Sequence, residues 1–157
     1  MTDRSLRFRR GSPDQPAAKR LIRALDAELE ERYPEEGANH FRLDTDEVSG
    51  DRGVFLVAYL GDEPIACGAI RRLNEDDAEI KRMYVDPGTR GSGVGRRMLA
   101  ELVSLGRGFG VKRIVLETGK RQVEALALYE RAGFELIPRF GEYADSPLSL
   151  CLAKDLR

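Results

Sequence analysis

The chain contains no tryptophan and one histidine, His40, and its two cysteines, Cys67 and Cys151, are far apart with no CxxC pair. The common zinc spacings, which need closely paired cysteines and histidines, are therefore missing, and no metal is expected. One disulfide between the two cysteines is the alternative to two free thiols. Both cysteines sit in apolar, strand-like runs, "IACGAI" and "LSLCLA", and are expected to be buried thiols. No apolar run approaches the ~20 residues that cross a bilayer. The opening segment "MTDRSLRFRRGSPDQ" is basic but has no apolar core, so it does not read as a secretory signal, and a cytoplasmic location is expected. Excess charge is also missing: 26 Lys and Arg against 27 Asp and Glu leave a net charge of −1, spread along the chain. Nothing in that balance asks for a nucleic acid or a membrane as partner.

What is present fits one globular domain over residues 1–157, with 41% apolar and 34% charged residues. "SLRFRRG" alternates apolar and basic residues and reads as an edge strand. Asp14 is the expected cap of a helix with Pro16 in its first turn. Leu21, Ile22, Leu25 and Leu29 form its apolar face, and it stops near Pro34. Residues 34–53 are acidic without a sustained period and read as a loop or irregular helical segment. "VFLVAYL", "GDEP" and "IACGAIRRL" make a hairpin, which "NEDD" extends into a third strand, "AEIKRMYV". Asp86-Pro87 breaks that strand. A helix follows from about Gly93 to Gly108, then a buried strand "KRIVLET", a helix "QVEALALYERAG" capped by Gly133, and strands in "FELIP" and "LSLCLAKDL". Meanders give antiparallel pairs and strand–helix–strand units give parallel ones, so the fold class is α/β (α+β) with a mixed sheet.

The most specific stretch is "TRGSGVGR", where Gly91, Gly93 and Gly95 alternate between a strand and a helix. A plain turn needs fewer glycines. A dinucleotide-binding G-x-G-x-x-G fits only in part: Arg96 stands at the third glycine position, and the preceding strand carries Lys81 and Arg82. A phosphate-binding P-loop fails, because no Lys-Ser/Thr follows. A third reading is a diphosphate cradle: unpaired N–H groups and the helix dipole at a helix start, with no Cβ atoms in the way. Arg90 and Arg96 would add charge-assisted contacts.

Arg90-x-x-Gly93-x-Gly95 resembles the Q/R-x-x-G-x-G/A pyrophosphate motif of the GNAT superfamily of acetyl-CoA-dependent N-acetyltransferases. "AEIKRMYVDP" before it and "LETGKRQVEALALYERAGF" after it are similar to the family's fourth strand and to its fifth strand with the helix that follows. The resemblance covers about residues 54–135 in sequence and the rest by element order. It implies a GNAT-like fold: a twisted, mostly antiparallel sheet with strands four and five parallel and splayed, and helices on both faces. Acetyl-CoA is the implied co-substrate. Its implied contacts are the strand backbone at Met83, Tyr84 and Val85, the turn Arg90, Gly91, Ser92, Gly93, Val94, Gly95 and Arg96, and Gln122, where many members carry Asn. Tyr129 matches the tyrosine that faces the cofactor sulfur and is the implied general acid; the plain alternative is a tyrosine packed on an apolar helix face. Glu79 stands where members with a glutamate base carry it; the alternative is a solvated strand-end charge.

Glu117 faces either the cleft or an ion pair with Lys112 or Arg113. His40 and the acids Glu35, Glu36, Asp44, Asp46 and Glu47 fall in the variable acceptor-side loop, where acids would attract a cationic amine or simply be solvated. The expected activity is direct transfer of acetyl from acetyl-CoA to a primary amine of a small or amino-acid-like acceptor. A catalytically silent acyl-CoA sensor and a protein or peptide acetyltransferase are the alternatives. By analogy a homodimer is one expected form.

Overall fold

The computed structural model describes residues 5–35 and 43–157. Its elements run β1 (Leu6–Gly11), α1 (Pro16–Arg32), β2 (Gly53–Leu60), β3 (Glu63–Arg72), β4 (Asp77–Val85), α2 (Val94–Gly108), β5 (Arg113–Gly119), α3 (Val123–Arg131), β6 (Glu135–Ile137) and β7 (Ser149–Asp155). Short 3-10 turns occupy Thr45–Val48, Pro87–Thr89 and Gly141–Tyr143. His40 and Glu36 lie outside the described residues.

The strands form one seven-stranded sheet in the order β1-β2-β3-β4-β5-β7-β6. Only β4 and β5 run parallel; every other neighbouring pair is antiparallel. β1 is an edge strand, as its alternating basic residues predict. Helix α1 covers one face, where Ala18, Leu21 and Leu25 pack on Phe55, Val57, Cys67 and Ala69. Helices α2 and α3 cover the other, where Met98, Leu99 and Leu102 of α2 and Tyr129 of α3 join Ile70, Ile80, Ile114 and Leu116. The sheet is thus mixed, with helices on both faces. Cys67 and Cys151 are buried free thiols, and burial pushes the Cys67 thiol up to about 12.

Two local readings are corrected. Asp14 does not cap α1: Gln15 holds the N-cap position, Pro16 follows, and the Asp14 carboxylate accepts a hydrogen bond from the Thr45 hydroxyl at 2.9 Å. The charges in β4 do not mark an uncovered strand either, because the Glu79 and Lys81 side chains are only 1% and 4% exposed.

One irregularity in β4 shapes the site. Up to Lys81, β4 alternates regularly, with Glu79 and Lys81 opposite Arg71 and Ala69 of β3. Arg82 then adopts a left-handed φ of 57°, and the register with β3 shifts. An extra residue in one strand reverses which side chains face which way. Tyr84 therefore joins the α1 face, while Met83 and Val85 join the α2 and α3 face. Left-handed backbone at a residue with a Cβ costs roughly 1–2 kcal/mol. Pairing between β4 and β5 ends at Ile80 and Leu116, just before the bulge. Beyond that point the two parallel strands diverge, and Glu117 to Gly119 pair with β7 alone.

Candidate active site

The divergence of β4 and β5 opens a cleft through the sheet with a cavity on each side. The larger, about 530 Å³, lies between the end of β4, the glycine turn and α3. The smaller, about 130 Å³, lies under α1, between β4, β5 and the 141–149 segment. Leu25, Met83, Gln122, Ala125 and Tyr129 line both, so Tyr129 stands at the junction.

The larger cavity has the bare-backbone wall that a diphosphate needs. Gly91 and Gly93 both take φ of 86°, and Gly93 is the N-cap of α2. A Cβ at Gly91 would meet nothing within 4 Å, so conformation and the open cavity, rather than packing, call for glycine there. At Gly95 a Cβ would come within 3.3 Å of Leu128, so the last glycine allows α2 to approach α3 closely. Met83, Tyr84, Val85, Arg90, Gly91, Gly93, Gly95, Arg96 and Gln122 all line this cavity. Ser92 and Val94 do not. The Ser92 hydroxyl donates to the Thr89 carbonyl, and the Val94 side chain is buried in the core, which leaves their backbone N–H groups at the helix start. Among the described residues, the pairing of β4 with β5 does not continue past Ile80 and Leu116.

Two expected contacts are already engaged. Arg90 donates through Nε to the Val85 carbonyl at 2.9 Å and forms a two-point pair with Glu28 of α1, at 2.8 and 3.0 Å. The guanidinium also stacks 5.6 Å from the Tyr84 ring centroid. Gln122 accepts from Arg32, and Arg32 also reaches Glu28 at 3.5 Å. A chain Arg90–Glu28–Arg32–Gln122 therefore ties α1 to both the glycine turn and the start of α3. Glu28 and Arg32 are site residues that sequence reasoning missed. The available signal was their i, i+4 spacing beside the apolar positions Leu25 and Leu29.

The smaller cavity is built from side chains. Glu117 lines it, and the Ser149 hydroxyl donates to its carboxylate. The surface pair considered for Glu117 is not formed: Arg113 pairs with Asp77 and Lys112 with Asp76. Burial is the main cause that raises the Glu117 pKa to about 7; the charges of Glu79 and Glu142 push the same way, while Ser149 and Lys81 oppose them. Tyr129 is buried, which raises its phenol well above the usual range and keeps it protonated.

Glu79 does not line either cavity. Its Oε1 accepts from Arg71 Nε and Nη2 at 2.9 and 2.7 Å, and its Oε2 accepts from the Tyr143 hydroxyl at 2.6 Å. The solvated strand-end reading of Glu79 is therefore corrected: the carboxylate is buried and used on both oxygens. Arg71 also pairs with Glu47 at 2.9 Å, so Glu79 sits at the centre of a network joining the 45–48 turn to the 141–143 turn. Three acids of the 34–53 segment have partners at the surface or in the 45–48 turn: Glu35 pairs with Arg121, and Asp44 with Glu47 forms a capping box. Among the described residues no group of three or more His, Cys, Asp or Glu is arranged to hold a metal. No helix among them is long and apolar enough to cross a membrane.

A sequence profile of the acetyltransferase (GNAT) family matches residues 18–134. The chain belongs to the GNAT acetyltransferases. Over 148 residues it is 40% identical to an IAA acetyltransferase of Azospirillum brasilense, covering 94% of this chain and 95% of that protein. The crystal structure of a Klebsiella pneumoniae protein described as an acyl-CoA N-acyltransferase superposes with a TM-score of 0.81 at 31% identity, covering 97% of this chain and 98% of that one. A GNAT acetyltransferase from Elizabethkingia anophelis, solved with acetyl-CoA bound, shares the fold with a TM-score of 0.70 at 19% identity, covering 96% of this chain and 98% of that one. Acetyl-CoA is the co-substrate of this enzyme, and the glycine-walled cavity suits its diphosphate.

Proposed function

We propose that the chain as a whole acts as one N-acetyltransferase unit that acetylates the primary amine of a small molecule, with Glu117 as general base and Tyr129 as general acid. The observation that carries this is the junction at the splayed strands. Tyr129 lines both cavities, and Glu117 lines the smaller one with its pKa raised to about 7. A base poised near neutral pH balances availability against proton affinity. Glu79, whose two oxygens are taken by Arg71 and Tyr143, is better suited to hold the 141–143 turn than to accept a proton from an amine.

Acetyl-CoA supplies the acetyl group as a thioester. On this reading the β4 edge at Met83 to Val85 and the N–H groups at Gly91 to Gly95 hold it, with Arg96 beside them. Arg90 contributes once its guanidinium is shared between Glu28 and the ligand. Glu117 removes the proton from the attacking amine. Tyr129 offers its O–H to the departing sulfur. Desolvation raises the pKa of a buried thiol, so the departing thiolate accepts a proton more readily here than in water. The modest size of the acceptor cavity, and the IAA acetyltransferase among the relatives, support a small molecule over a protein acceptor. The test is thiol release from acetyl-CoA across a panel of free amines and peptides. Release with free amines supports the reading. Binding of acetyl-CoA with no release from any of them would favour a sensor, and release with peptides alone would favour a protein acetyltransferase.

A further inference from the structure

We infer that the acceptor carries a carboxylate beside the amine to be acetylated, and that Lys81 is the residue that receives it. This rests on the acetyl-transfer reading of the same cleft. Among the described residues the charged side chains lining the acceptor cavity are Lys81, Arg82 and Glu117. Arg82 is drawn toward α1 by its ion pair with Asp26. Lys81 and Glu117 each follow the last paired residues of β4 and β5, Ile80 and Leu116, so they stand side by side where the strands begin to part. Their charges feel each other, since Lys81 opposes the rise of the Glu117 pKa.

A simple cationic amine entering this space meets Glu117 and, beside it, the Lys81 ammonium, which repels a like charge at short range. An amino carboxylate brings its own counter-charge and answers both groups: the ammonium faces Glu117 and the carboxylate faces Lys81. The geometry of Lys81 suits a ligand contact. Its side chain is 4% exposed and so fixed by packing, whereas Glu142, its partner at 3.4 Å, is 43% exposed. Lys81 is held and Glu142 is exposed, so an incoming carboxylate can join Glu142 at the ammonium. A buried ammonium is costly to keep where a methionine would fill a similar volume. A recognition role gives a reason for its presence.

The test compares α-amino acids with their own amides as acceptors, at saturating acetyl-CoA, by thiol release. A charge-assisted contact of ordinary strength predicts that the acid exceeds its amide in kcat/KM by about 10- to 100-fold, mostly through KM. In Lys81→Met that ratio should fall to near one. The wild-type ratio needs no variant, so it decides the matter even if Lys81→Met fails to fold. Amines acetylated with no preference for the carboxylate would overturn the carboxylate site while leaving the acetyl-transfer reading intact. So would a preference that survives in Lys81→Met. No release from any amine would overturn the transfer reading and this inference with it.

Discussion

The two halves of the cleft are built by different means. The donor side is made of backbone: glycines at Gly91, Gly93 and Gly95, the N-terminus of α2, and the edge of β4 beyond its pairing with β5. The acceptor side is made of side chains that come from α1, α3, β4, β5, β7 and the 143–149 segment. Backbone is common to every residue, so the donor half can bind one handle whatever the acceptor. Side chains carry identity, so under the proposed function the acceptor half would set which amine is used and supply the proton chemistry.

The sharpest way to break that division is at the junction. Tyr129→Phe should lower kcat by about 100-fold or more, the scale of a lost general acid, while the acetyl-CoA Kd changes little. Steady-state kinetics beside calorimetry checks both; an unchanged kcat would remove Tyr129 from the chemistry.

Glu117 should also leave a trace in stability. Its pKa is about 7 when folded against an ordinary 4.5, so between those values the folded state holds a proton that the unfolded state has lost. Stability should therefore fall as pH rises from about 4.5 to 7, by roughly 1–3 kcal/mol from this one group, and then level off. Glu117→Gln should flatten that slope in chemical denaturation. A slope that persists in the variant belongs to other groups.

On the donor side, Gly93→Val should weaken acetyl-CoA by about tenfold with no change in acceptor KM. It should also cost roughly 1–2 kcal/mol of stability, because Gly93 has φ of 86°. An acceptor KM that moved with it would blur the two halves. The smallest expected effect comes from Glu28→Gln, which frees Arg90 for the diphosphate. Acetyl-CoA should bind about two- to fivefold tighter, the scale of a half-exposed ion pair. Weaker binding would mean that Glu28 instead holds Arg90 in its working position.

The same contrast explains what the sequence revealed. The donor half is local. Glycines, a strand before them and a helix after them occupy one short stretch, so "TRGSGVGR" was readable, as was the order of elements that builds the sheet. The acceptor half is assembled over long separations. Tyr143 reaches Glu79 across 64 residues and Ser149 reaches Glu117 across 32, and none of these residues stands out where it lies in the chain. The sequence left Glu117 between the cleft and a surface pair with Lys112 or Arg113, and the fold decides because the neighbouring Asp76 and Asp77 take those cations. Glu79 read as either a base or a solvated strand-end charge, and only the fold shows that the 141–143 turn covers it together with Lys81. The bulge at Arg82 had no glycine to announce it.

The most direct test of the account is the pH dependence of kcat/KM for one acceptor in the wild type and in Glu117→Gln, since the ionisation of the amine is common to both. The wild type should show an added rise centred near pH 7, and the variant should lose that rise along with most of its rate. A Glu117→Gln enzyme that keeps the wild-type rate and the wild-type profile would contradict the assignment of the base.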